Sequence, residues 1–252
     1  MNSYAEICKK IFRKSFVMHV ELEPIAYFQS PFSSKFGIPR QSGQVPSLVG
    51  KIVFEPGFRN AEALRGLEGF DYLWLIWGFS ANSHASAHLT VRPPRLGGNV
   101  RMGVFATRSP FRPNPIGLSS VKIARIDYDA PEAPVVCVKG ADLMDGTPIF
   151  DIKPYLAYTD AHPEARCGFV DQTEWKKLHV KLCEKVKNNF TEQQQEMLCR
   201  VLELDPRPHY HNDEGRIYGM SFEGCDVRFT VSSKNELNVL DVRPIRGEEE
   251  VF

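Results

Sequence analysis

The most apolar stretch of the chain is DYLWLIWGF, from Asp71 to Phe79. It is far shorter than the roughly 18 apolar residues of a membrane span, and its aromatic and β-branched content predicts a buried strand. Other short runs predict strands at Phe16–Tyr27 (broken by Pro24), Lys51–Glu55, Arg101–Thr107, Ser119–Asp127, Val135–Ala141 and Thr147–Ile152. Between them lie turn-rich segments, and Asn60–Gly66 predicts a helical turn capped by Asn60. Short strands at this spacing, without long helices between them, predict an antiparallel barrel or sandwich. The period changes after Tyr158. Gln172–Lys187 and Thr191–Glu203 carry apolar residues at helical spacing, the second with Thr191 as N-cap. Arg216–Phe222, Asp226–Val231 and Glu236–Val242 then predict a three-stranded meander, and Tyr4–Lys14 a short amphipathic helix at the start.

This pattern gives a mainly β fold with three parts. They are an N-terminal extension (1–15), a small antiparallel β-barrel domain (16–160) and a smaller α+β C-terminal domain (161–252). A chain of 252 residues has ample length for a core in each of the two larger parts. The N-terminus lacks the apolar centre of a secretory signal. Six scattered cysteines without a CxxC pair point to free thiols, a reducing compartment and a cytoplasmic protein.

Charge changes the picture more than composition does. The net formal charge is zero, yet Tyr72–Ile126 contains no Asp or Glu and carries Arg92, Arg95, Arg101, Arg108, Arg112, Lys122 and Arg125. The remainder holds 24 basic and 31 acidic residues. A basic block inside a neutral protein suggests one face for an anionic partner, although arginines such as Arg92 and Arg95 also solvate ordinary loops.

Common site chemistries find little support. There is no GxGxxG and no GxSxG. Gly98 and Gly103 have P-loop spacing, but Val104 stands where a lysine is required. His84 and His88 are four apart without the accompanying Glu of a metalloprotease helix, so no metal is expected. Three loops concentrate Pro, Gly and polar residues instead: Gly37–Gly43 (GIPRQSG), Val91–Ser119 (VRPPRLGGNVRMGVFATRSPFRPNPIGLS) and Ala141–Tyr155 (ADLMDGTPIFDIKPY). Prolines restrict backbone freedom and glycines admit close approach, so loops of this kind are built to hold a ligand at small entropic cost. Their convergence on one rim of a barrel would make one site. Asp145-Gly146 also reads as a hairpin turn.

The runs PRQ, TVRPPRLGGN, RMGVFATRSPFRPNPIGLS, DLMDGTPIFDIKPY and DPRPHY occur in this order over about residues 17–243. In them the chain resembles the TrmO (TsaA-like, YaeB) family. The resemblance implies a non-Rossmann β-barrel methyltransferase, with S-adenosyl-L-methionine as cofactor. It also implies that the acceptor is the exocyclic nitrogen of threonylcarbamoyl-adenosine next to the anticodon of tRNA, and that the enzyme is a homodimer with cofactor sites near the interface. By resemblance Pro39, Arg40, Gln41, Arg108, Leu118 and the run Asp142, Leu143, Met144, Asp145 would border the cofactor. Ser80 and Ala81 would join them through their backbone, Ser80 standing where the bacterial pattern has a histidine. Arg108 suits the carboxylate end of the cofactor, and Asp142 or Asp145 its hydroxyl or amino groups. Arg92, Arg95, Arg101, Arg112 and Arg207 would meet the anticodon loop or the threonyl carboxylate, and Phe111 is a candidate stacking surface.

No catalytic residue is identified in the sequence. Asp151 and Tyr155 are candidates for the base, against simpler roles in an ion pair and in packing. Two other readings stay open: the same fold methylating a small molecule or a protein, and an RNA-binding module without catalysis.

Overall fold

The structure, a computed structural model, describes residues 20–82, 88–173, 176–207, 213 and 215–245. The expected helix at Tyr4–Lys14, the N-terminal extension, His84, Trp175 and the end of DPRPHY (Pro208–Tyr210) lie outside these residues.

Six strands make a closed barrel: β1 (Ala26–Gln29), β2 (Val49–Phe54), β3 (Tyr72–Gly78), β6 (Ile116–Asp127), β7 (Val135–Lys139) and β8 (Thr147–Pro154). Their order around the wall is β1-β2-β7-β6-β3-β8, and every neighbouring pair is antiparallel. Alternation of side chains along each strand fills the interior with Phe28, Ile52, Leu73, Leu75, Trp77, Val121, Val136, Val138 and Ile149. Gly117 lies opposite Trp77 on β6, and a Cβ there would stand 2.2 Å from the indole. Only glycine lets that ring sit inside the wall.

Two further strands, β4 (Thr90–Val91) and β5 (Met102–Gly103), form a small antiparallel ribbon in the long β3–β6 connection. The predicted strand Arg101–Thr107 is therefore mostly something else. Val104–Ala106 is a 3-10 turn, because both the amide and the hydroxyl of Thr107 donate to the Val104 carbonyl. β6 starts at Ile116, three residues earlier than expected, so Leu118 belongs to the barrel wall and not to the loop. At the other end of the pattern, Val20 and Leu22 are exposed and β1 begins only after Pro24, which cannot donate to a ladder. Asp145-Gly146 does form a turn, with Gly146 at φ +71°, but it joins β7 to β8, which are not neighbours. It is not a hairpin.

The second sheet has the order β10-β11-β12-β9, from β10 (Tyr218–Phe222), β11 (Cys225–Val231), β12 (Glu236–Pro244) and β9 (His179–Lys181). The meander is as expected. The predicted helix Gln172–Lys187 is not: its centre is β9, paired parallel with β12, and only Glu184–Asn189 is helical (α2, after the short α1 at Ala157–Asp160). The stretch LHVKL alternates with a period of two, and a vacant sheet edge selects that period over the helical one. The helix α3 (Glu192–Glu203) has the predicted cap, a reciprocal box between Thr191 and Gln194. Its buried face, Met197, Leu198, Val201 and Leu202, packs on Phe222, Phe229 and Val239. The same core includes Phe32, Val45 and Leu48, which come from the connection between β1 and β2. Among the described residues no helix is long and apolar enough to cross a membrane, and no cluster of candidate metal ligands occurs.

Candidate active site

Residues from all three loops meet around Asp142. Asp142 follows β7, and its carboxylate turns inward. Ser119 Oγ, on the inward register of β6, donates to Asp142 Oδ1 at 2.6 Å and accepts from Trp77 Nε1 at 3.0 Å. The backbone amide of Ser42 also donates to the Asp142 carboxylate. Loss of hydration is the largest influence on Asp142 and raises its pKa; the bonds from Ser119 and Ser42 and the nearby Arg108 charge oppose this without cancelling it. Above this enclosed group, Arg108 Nη1 donates to Gln41 Oε1 at 2.6 Å. Segments around residues 41, 108, 119 and 142 are thereby tied into one polar network, with Arg108 and Gln41 on its solvent side.

Loop Gly37–Gly43 is fastened further along. The Gly43 amide donates to the Gly140 carbonyl at 2.8 Å, and Arg40 Nη2 reaches the Arg207 carbonyl at 3.4 Å. Arg207 itself forks onto Asp205, with Nε and Nη2 each 2.8 Å from a carboxylate oxygen. Loss of hydration lowers the Arg40 pKa, Asp205 acts against this, and the Arg95 charge adds to the lowering. Arg40, Arg95, Asp205 and Arg207 thus share one electrostatic neighbourhood, at the place where the second sheet meets the barrel. The Asp205–Arg207 pairing makes the end of α3 a rigid turn.

The other expected residues are placed as follows. Asp145 is exposed, and its Oδ1 accepts from the Ser30 amide at 2.9 Å. Leu143 lies in the barrel core at 1% exposure, so its main chain is the part available to a ligand. Met144 is half-buried, its carbonyl taken by Thr147. Pro39 is buried. Ser80 and Ala81 follow β3, where Lys35 Nζ donates to the Ala81 carbonyl at 3.0 Å and to Asn82 Oδ1 at 3.1 Å. Leu118 points outward from the wall and is 56% exposed. Arg112 curls back to the Thr107 carbonyl at 3.2 Å.

Arg92 and Arg101 lie apart from this network, on the β4–β5 ribbon. Val91 pairs with Met102, and Arg92 and Arg101 are the residues that directly follow and precede these two strands. Arg101 leans to Thr90 Oγ1 at 3.0 Å, and Phe105 and Phe111 are exposed nearby in the chain. The candidate bases are otherwise engaged: Asp151 pairs with Lys153 at 2.7 Å, and Tyr155 packs against Trp74 and Tyr72.

Sequence reasoning missed Ser42, Ser119 and Lys35. For Ser119 a signal was present, since alternation in GLSSV puts a hydroxyl at an inward strand position. Lys35 carries no such signal.

The donor set fits S-adenosylmethionine. A zwitterionic end needs a cation and an acceptor, and Arg108 and the exposed Asp145 are of these types. The adenosine needs apolar surface and amide partners, which Leu118 and Gln41 supply. Nothing here resembles a phosphate cradle, and this cofactor has no phosphate.

Comparison with known proteins identifies the family. Residues 27–161 match the tRNA-methyltransferase O N-terminal domain, and residues 173–245 the TrmO C-terminal domain. The tRNA (adenine(37)-N6)-methyltransferase of Escherichia coli K12 is 36% identical over 220 residues, covering 84% of this chain and 93% of that protein. The human protein of the same name is 41% identical over 145 residues, 55% of this chain and 31% of its own length. A crystal structure of TrmO from Pseudomonas aeruginosa has a TM-score of 0.74 at 33% identity, covering 92% of this chain and all of that one.

Proposed function

This chain belongs to the tRNA-methyltransferase O family, and we propose that it methylates the exocyclic nitrogen of threonylcarbamoyl-adenosine next to the tRNA anticodon. It is an S-adenosylmethionine-dependent methyltransferase. The observation that carries the site assignment is the network Gln41–Arg108 over Ser42–Asp142–Ser119. It draws together loops that are distant in sequence, all bordering the cofactor in this reading. Bound there, the cofactor supplies an electrophilic methyl on a sulfonium.

The chain's own residues position the reactants. Arg108 binds the carboxylate of the cofactor, Gln41 and the backbone at Ser80–Ala81 bind its adenosine end, and Asp145 accepts from its hydroxyl or amino groups. Leu118 and the main chain of Pro39, Leu143 and Met144 complete the wall, with Arg40 beside them. Asp142 is held inward, and its part is to fix the Gln41–Ser42 backbone. Arg92 and Arg101 bind backbone phosphates, Arg95 and Arg207 the threonyl carboxylate, and Arg112 supports the loop between them. Holding the acceptor nitrogen about 3 Å behind the methyl in line is worth several powers of ten in rate. Asp142, Asp151 and Tyr155 are engaged elsewhere, so the acceptor's proton passes to the threonyl carboxylate of the substrate itself.

The division into a cofactor-binding barrel (16–160) and a C-terminal α+β unit (161–252) is part of this reading, supported by the separate matches of the two family domains. So is a homodimer. Ile116 and Leu118 are exposed on the outer wall at 40% and 56%, and Leu118 lies beside Ile76 across the β3–β6 ladder. An apolar strip of this kind next to the site suits a second copy.

The test is methyl transfer to anticodon stem-loops carrying either threonylcarbamoyl-adenosine or plain adenosine, read by nucleoside mass spectrometry. Transfer to the modified stem-loop alone is expected. Transfer to neither, under conditions where the protein is folded, excludes this function.

A further inference from the structure

The connection between β1 and β2 leaves the barrel, runs over the second sheet and returns. Phe36 is stacked on both Tyr218 and Phe229, with centroids 6.4 Å apart in each case and planes within 11°. Phe32 is fully buried and meets the Phe222 ring edge-on at 5.8 Å. The Glu223 amide donates to the Pro31 carbonyl at 2.8 Å, and the Ser34 amide to Ser221 Oγ at 3.1 Å. Gly37 has φ +96°, and a Cβ there would lie 2.0 Å from Met220 Sδ. So residues 31–37 are an additional layer of the C-terminal sheet, although they precede it by some 180 positions in the chain.

The return is fastened to the barrel, by the Ser42 amide on Asp142 and the Gly43 amide on Gly140. Between these two anchorages stand Pro39, Arg40 and Gln41. Pro39 restricts its own φ and the conformations open to Ile38, so a short and stiff span bridges two bodies. Arg40 is then held from the C-terminal side: its guanidinium meets the Arg207 carbonyl, and the Asp205–Arg207 fork keeps that carbonyl in place. Asp205 is at φ +51°, a left-handed conformation that a non-glycine residue adopts only under local restraint.

We propose that the C-terminal unit sets the affinity of the barrel for its cofactor, with Asp205, Arg207 and Gly37 as positioning residues for Arg40 and Gln41. This rests on the reading that Pro39–Gln41 border S-adenosylmethionine. Asp205 and Arg207 do not touch the cofactor in this arrangement; they act on it through Arg40. The coupling also works in reverse. RNA that engages Arg207 shifts the span, so cofactor and tRNA affinities are linked through it, each altering the other by the same factor.

The experiment uses the full chain and compares Asp205→Ala, Gly37→Ala, Arg40→Ala and Val201→Ala. Val201 is buried in α3, four residues before Asp205, and its side chain makes no hydrogen bond to the span, so its truncation lowers stability through lost packing while the Asp205–Arg207 fork and the Arg40 contact keep their partners. S-adenosylmethionine affinity is measured by calorimetry and thermal stability by melting, with the calorimetry run below the transition of every variant. Expected are affinities at least tenfold weaker for Asp205→Ala and Gly37→Ala. Val201→Ala should stay within twofold of wild type despite an equal or larger loss of Tm. In turnover with the stem-loop, the KM for cofactor should rise while kcat at saturating cofactor changes little. Asp205→Glu should recover part of the affinity. Unchanged affinity in both Asp205→Ala and Gly37→Ala overturns the proposal. Unchanged affinity in Arg40→Ala as well traces that failure to the assignment of the loop itself.

Discussion

Asp142 is a residue whose role changes between chain and fold. In the sequence it is one of two carboxylates in DLMD, equally suited to a ligand. In the structure its carboxylate is turned inward, takes the Ser119 hydroxyl and the Ser42 amide, and has a raised pKa. A carboxyl with a raised folded pKa binds more protons in the native state than in the unfolded one. Its ionisation therefore subtracts stability as pH rises above the unfolded value of about 3.9. In Asp142→Asn that slope should vanish, since an amide keeps the acceptor and has no proton to lose. The Tm of wild type minus that of Asp142→Asn should be flat below about pH 4 and fall as pH rises, levelling once Asp142 is fully ionised. Melting curves from about pH 3.5 to 8, a range that brackets the unfolded value, check this, and a constant difference would refute the desolvation argument. Arg207 shows the opposite case. Its pairing with Asp205, two positions earlier, is a local matter within DPRP.

At the scale of elements, the β4–β5 ribbon carries the clearest separable function. Its arginines were legible as part of an acid-free block, but their register was not. A strand was expected at Arg101–Thr107, which would have placed Arg101 on a ladder with Arg108 in the loop just after it. The actual ribbon is two residues long, with Arg92 and Arg101 next to its ends, while Arg108 donates to Gln41 in the loop beyond. In the proposed reading, cofactor and phosphate sites are therefore on different elements. Arg92→Ala combined with Arg101→Ala should leave cofactor binding unchanged. It should weaken binding to the stem-loop and reduce the slope of log affinity against log salt by about 0.7 for each phosphate no longer neutralised. Filter binding across a salt series measures the slope. An unaltered slope with intact protein would remove the ribbon from the RNA interface. The predicted helix at Gln172–Lys187 failed at this same scale. Leu178 and Val186 are buried as expected, but alternation and helical spacing coincide over so few residues, and the unpaired edge of β12 decided between them.

For the whole molecule, the open quantity is how copies assemble. The outer wall at Ile116, Leu118 and Ile76 is apolar, whereas Lys51, Lys122 and Lys153 are exposed elsewhere on the barrel strands. Ile116→Asp should shift a homodimer to monomer by sedimentation equilibrium while leaving the barrel folded, since Ile116 is exposed in the isolated chain. A monomeric wild type would refute the strip as an interface.

The sequence by itself determined the strand-rich first part, the capped helix α3, the meander and the three loops that carry the chemistry. These depend on local signals: alternation, capping residues, and Pro–Gly punctuation. The family resemblance added the cofactor and the acceptor. GVFATRSPFRPNPIGLSSV, however, divides into a 3-10 turn, a loop and a barrel strand at boundaries that no local signal marks. Nor could spacing show that Phe36 stacks on Tyr218 and Phe229, or that Ser119 turns toward Asp142. Those contacts join residues from tens to nearly two hundred positions apart. They exist because closing the barrel buries one face of each strand, and because the second sheet needs apolar cover that its own strands cannot supply. Only the tertiary structure meets both demands, and it does so with one segment.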